Sequence, residues 1–149
     1  MENTWVLVAD SSRARLFVAA SHTSPLTEFE AITHAEAKQH EQKITSDLPG
    51  HQAGSDGRHH SVGSETDPKK YEAIQFAKQL AKHLEDARIK HIFTQLVIVA
   101  APAFLGQLRE QLSPEVTKLV TLEVDKNLSQ HGADDIRQHL PERLPGTAG

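Results

Sequence analysis

Cysteine is absent from the 149 residues, which excludes disulfide frameworks, thiolate-bound zinc and cysteine nucleophiles. Any metal would have to be held by His, Asp or Glu. Aromatic residues make up only 5% of the chain, with one Trp and one Tyr, too sparse for the stacking platforms that hold single-stranded nucleic acid. An excess of positive charge is also lacking. The formal net charge is -4, so no global field draws in nucleic acid or an anionic membrane, and a basic site has to be local. No apolar run reaches the length of a membrane span, and Met1-Glu2-Asn3-Thr4 carries an acid where a targeting leader carries basic residues. These absences predict a cytoplasmic protein without membrane contact, of a length that suits a single domain over 1–149.

What is present is organised around Leu96-Val97-Ile98-Val99-Ala100-Ala101-Pro102, an unbroken apolar run that predicts a central parallel strand covered on both faces. Upstream, Trp5 to Ala9 reads as a buried strand and Asp10-Ser11-Ser12 as a turn. Residues 13–20 follow as a second strand, with Ala14, Leu16 and Val18 on one face. Residues 26–33 form a third, near an edge because Glu28 and Glu30 share a face. Residues 35–43 suit a short helix or an irregular connection. Residues 46–66, with four glycines and little apolar surface, read as a long mobile loop.

Asp67-Pro68 is a helix start, and Ala73, Ala77, Leu80, Ala81 and Leu84 recur at helical spacing to near Ala87. After the central run, Leu105, Leu108 and Leu112 predict a second helix that stops at Ser113-Pro114, with a further helical turn beyond. Val120, Leu122 and Val124 alternate as a lateral strand, and Ala133, Ile136 and Leu140 mark a final helix, leaving 141–149 as a frayed tail. The result is an α/β fold, a three-strand meander followed by α-β-α-β-α. That arrangement is a mixed five-stranded sheet with helices on its faces, as in ribonuclease H-like folds.

Several residue groups could carry chemistry. Arg13 and Arg15 alternate on a strand, and with Arg58, Lys69 and Lys70 they could form a phosphate-binding rim. His51, His59 and His60 lie in the loop with Asp56 and Asp67, and His34 and His40 lie upstream. The spacing is weak for a metal, since no pair of histidines among them has the helical i, i+4 separation, and no cofactor is expected. Asp10 and Glu72 could supply two carboxylates of a two-metal nuclease, but Ala100-Ala101-Pro102 supplies no third, and Asp10 suits a turn.

The stretch Trp5-Val6-Leu7-Val8-Ala9-Asp10-Ser11-Ser12-Arg13-Ala14-Arg15-Leu16-Phe17 resembles the bacterial family required for attachment to host cells. So, in the same order, do Ser46-Asp47-Leu48-Pro49-Gly50, Thr66-Asp67-Pro68-Lys69 and Phe76-Ala77-Lys78-Gln79-Leu80-Ala81. That family in turn resembles the middle domain of archaeal and eukaryotic peptide-chain release factors. The resemblance implies a release-factor middle-domain-like fold, a role in translation, and the ribosome or tRNA as partner, with a protein partner as the alternative. In release factors a Gly-Gly-Gln loop stabilises the oxyanion as peptidyl-tRNA is hydrolysed. Here Gly50 and Gln52 match its first and third positions, whereas His51 replaces the second glycine. The expectation is therefore a non-enzymatic binding module. Ester hydrolysis through Gln52 with Gly50 is the alternative, and a metal-binding loop the weaker one.

Overall fold

The computed structural model describes residues 3–34 and 68–145. The short helix or irregular connection expected over 35–43, the loop over 46–66 and the candidates Gly50, His51, Gln52, Arg58, His59 and His60 lie outside the described residues.

Three strands open the fold: β1 (Thr4–Ala9), β2 (Arg13–Ala19) and β3 (Leu26–Thr33). Helix α1 (Pro68–Ile89) leads to β4 (Gln95–Ala100), followed by α2 (Pro102–Gln111), α3 (Pro114–Leu119), β5 (Val120–Val124) and α4 (Ala133–Gln138). The five strands form one sheet in the order β3-β2-β1-β4-β5. Strands β1, β4 and β5 run parallel, and β2 is antiparallel to both β1 and β3. The apolar run at β4 does lie between two parallel neighbours, but the middle of the sheet is β1, which pairs β2 on one side and β4 on the other. Every residue of both strands is buried, as expected of strands covered on two faces.

Alternation along the strands splits the core in two. On one face Trp5, Leu7 and Ala9 of β1 and Leu96, Ile98 and Ala100 of β4 pack against α1, α2 and α3 through Phe76, Leu80, Leu84, Phe104, Leu108 and Val116. On the other, Val6, Val8, Val97 and Val99 meet Phe17, Leu128, Ile136 and Leu140. Thus α4 covers the face opposite the three earlier helices, and the two layers enclose the central strands.

Pro102 and Pro114 each open a helix in the first turn, where a missing N–H costs nothing, and Ser113 caps α3 by accepting the Val116 amide at 3.1 Å. Within the tail expected to fray over 141–149, Leu144 is anchored instead. It is 2% exposed, its amide donates to the His22 carbonyl at 2.8 Å, and its carbonyl lies 2.8 Å from His22 Nδ1. Burial of an apolar side chain with both backbone groups satisfied outweighs the entropy of a chain end.

Candidate functional site

In open sheets with parallel strands, ligands bind beyond the carboxyl ends of those strands, so that edge is where function is sought. Here it is built by the end of β1, the turn into β2, the end of β3, the start of α1 and the segment after β5. The turn is held by Asp10. Its Oδ1 accepts the Ser12 and Arg13 amides at 2.8 and 2.9 Å and the Ser12 hydroxyl at 3.2 Å, while its Oδ2 accepts the Ser129 hydroxyl at 2.5 Å. Burial pushes the Asp10 carboxyl up, but the Ser129 hydroxyl and then the two amides outweigh it and hold the group below the usual carboxylate range. With donors of the protein on both oxygens, Asp10 fastens the turn and the segment after β5.

The candidate basic residues divide. Arg15 is engaged: its guanidinium donates to Glu28 at 2.8 and 3.1 Å and to the backbone carbonyls of Ser129 and His131, and it lies 5.1 Å from the centre of the Phe17 ring. The same Arg15 bonds, with the bound carboxylate form favoured, hold Glu28 below its ordinary pKa. Arg13, by contrast, is exposed at the start of β2. It pairs with Thr33, and the next residue of β3's exit, His34, donates its amide to the Ser12 carbonyl at 2.7 Å. The His34 ring then meets α1, with Nε2 3.9 Å from Glu72 Oε1 and the ring edge-on to Phe76 at 5.3 Å between centres.

That contact sets the first turns of α1 beside the end of β3, so Lys69, Lys70 and Tyr71 stand at the same sheet edge as Arg13, whose place in the alternation of β2 groups it with Arg15 and Phe17 on the face away from α1. Lys69 and Lys70 are exposed and Tyr71 is 53% exposed. No acidic residue stands in the first turn of α1. The two lysines bring positive charge to the N-terminal end of a 22-residue helix, where the macrodipole is itself positive. Sequence reasoning found Arg13, Lys69 and Lys70 but missed Tyr71, which its position next to two lysines and outside the apolar stripe of α1 could have signalled. It grouped His34 with possible metal ligands, whereas the ring joins β3 to α1. Among the described residues no group of three or more His, Asp and Glu is close enough to hold a metal ion.

The fold and this edge define a mixed α/β protein whose five-stranded sheet is packed by helices and presents a local basic edge. The chain belongs to the family described as "Protein required for attachment to host cells", whose pattern it matches over residues 5–140. An uncharacterized protein, RP470, of Rickettsia prowazekii (strain Madrid E) is 29% identical over 108 residues, covering 64% of this chain and 72% of that protein. Two structures of the Aquifex aeolicus Ppx/GppA phosphatase family align with TM-scores of 0.40 and 0.35 at 12% and 16% identity, over 83% and 81% of this chain. The chain spans about a third of their length, 35% and 34%. Among the described residues no helix is long and apolar enough to cross a membrane.

Proposed function

We propose that this protein is a non-enzymatic binding module that grips the phosphate backbone of a structured RNA, in a translational setting such as the ribosome or tRNA. The observation that supports the reading is the placement of exposed Lys69 and Lys70 in the first turn of α1 at the same sheet edge where Arg13 stands exposed at the start of β2. Tyr71 adds an exposed ring on which one base could stack. Asp10, the carboxylate nearest the carboxyl end of β1, is occupied in fastening backbone, which supports a scaffold rather than a reacting centre. The strand order, with β2 alone running against the other four, supports the ribonuclease H-like arrangement and, through it, kinship with release-factor middle domains. Arg58, expected in the same rim from the sequence, lies outside the described residues.

Co-sedimentation with ribosomes and filter binding to tRNA across a salt series test it. Affinity should fall steeply with salt, and Arg13→Ala or Lys70→Ala should weaken binding several-fold and reduce the logarithmic salt slope by about one each. No sedimentation at any salt concentration removes the translational reading. Release of peptide from peptidyl-tRNA, lost in Gln52→Ala, replaces the binding module with a hydrolase.

A further inference from the structure

At the opposite end of the sheet from the basic edge, α1 closes in a Schellman turn. The Ile92 amide donates to the Ala87 carbonyl at 3.0 Å and the His91 amide to the Arg88 carbonyl at 2.9 Å. Such a turn needs a left-handed residue, for which glycine is the usual choice because it has no Cβ to clash. His91 fills the position with φ of 59°, the one non-glycine residue of positive φ among the described residues. A residue kept in a conformation that glycine would adopt more cheaply points to a use for its side chain.

The side chain lines a groove of about 330 Å³, within the range of small-molecule sites. The groove has an apolar floor of Phe93, which is 2% exposed, and Leu119. Its rim carries Arg88, His91 and Lys118, opposed by the single carboxylate of Glu115. Arg88 already binds Glu85 through Nε and Nη2, at 3.0 and 2.8 Å, so Nη1 stands outside that pair.

We infer that this groove is a binding site for a small amphipathic monoanion, a carboxylate carried on a ring-sized apolar body. The apolar body lies against Leu119, with the almost wholly buried Phe93 beneath it, and the carboxylate faces Lys118 and the His91 imidazole, with Arg88 behind them. Glu115 repels a second negative charge, which favours a monoanion over a phosphate dianion. The site is independent of the basic edge and of any RNA bound there.

Three probes test the assignment by nuclear magnetic resonance titration of the full chain. They are phenylacetate, phenethylamine with the same ring and the opposite charge, and acetate with the head alone. Phenylacetate should give saturable shifts at Phe93, Lys118 and Leu119 in the millimolar range, with phenethylamine and acetate at least about tenfold weaker. Lys118→Glu should weaken phenylacetate by about tenfold or more. His91→Gly should raise the melting temperature by a few degrees while weakening phenylacetate several-fold, a split that a purely structural histidine would not produce. Equal binding of phenethylamine, no saturable shift at Phe93, or unchanged phenylacetate affinity in either variant overturns the proposal.

Discussion

Ser129 Oγ donates a 2.5 Å hydrogen bond to Asp10 Oδ2 across 119 residues of chain, and Ser129 itself is fully buried. The bond joins the β1–β2 turn to the segment that follows β5, so the two outer halves of the sheet are tied together at its carboxyl edge. A hydroxyl serving a half-buried carboxylate contributes more than a neutral pair does. Ser129→Ala is expected to lower stability by about 1.5–3 kcal/mol, measured by urea unfolding with Trp5 fluorescence as the signal. Binding at the basic edge should survive in the folded fraction.

Arg15 acts on the same segment from β2. Because its guanidinium donates both to Glu28 and to the carbonyls of Ser129 and His131, the two ends of the interaction should be unequal under mutation. Removing Glu28 costs one partly exposed ion pair, under about 1 kcal/mol, and leaves the carbonyl bonds in place. Removing Arg15 leaves the part-buried Ser129 carbonyl unpaired, gives the exposed His131 carbonyl to water and removes the cation over the Phe17 ring, a loss of about 1–2 kcal/mol. Arg15→Lys should recover little of it, because one ammonium cannot reproduce the planar fork. Equal losses for Arg15→Ala and Glu28→Ala in denaturant unfolding would show that the carbonyl bonds contribute nothing.

Much of this architecture is readable in the residues themselves. The uninterrupted apolar runs of β1 and β4, the alternation of β5 and the prolines opening α1, α2 and α3 are local signals, and local signals survive in one dimension. The attachment of Leu144 and the Asp10–Ser129 bond are not local, since each depends on a partner more than a hundred residues away. Nor is the bulge in β3. There Leu16 faces Glu30 while Phe17 faces Glu28, so Phe29 is the extra residue, re-aimed to lie 4.9 Å from the Trp5 ring although Thr27, Glu28 and Glu30 mark the strand as wet. The basic edge was legible only as scattered cations. The start of α1 reaches the edge where Arg13 stands through His34 meeting Glu72 and Phe76, a contact that no spacing rule encodes.

Acid should weaken the junction of α1 with α3. Glu85 accepts Arg88 Nε and Nη2 and the Ser113 hydroxyl at 2.7 Å, and these bonds, those of Arg88 first, hold its carboxyl down at about 2 from 4.5. A depressed folded-state pKa stabilises the protein above the unfolded value and loses that effect as pH falls through the folded one. The advantage of the native chain over Glu85→Gln should therefore be complete above about pH 4.5 and shrink between there and pH 2. Thermal melts of the two proteins across that range measure it, and a constant difference would mean that Glu85 keeps the same affinity for protons on unfolding.

His91 offers the sharpest test of backbone against side chain. Its left-handed conformation closes α1, and the closing bonds run through the backbone, so they persist whatever side chain is present. His91→Gly removes the Cβ clash and should stabilise the protein by about 1 kcal/mol, less whatever freedom glycine adds to the unfolded chain. His91→Ala retains the clash and should change stability little, while a β-branched His91→Val, stiffer at this φ, should cost about 1 kcal/mol or more. The order Gly, then His and Ala together, then Val in melting temperature identifies the strain as a backbone property. If Gly proves no more stable than His, the imidazole is gaining as much from its surroundings as the left-handed turn costs it.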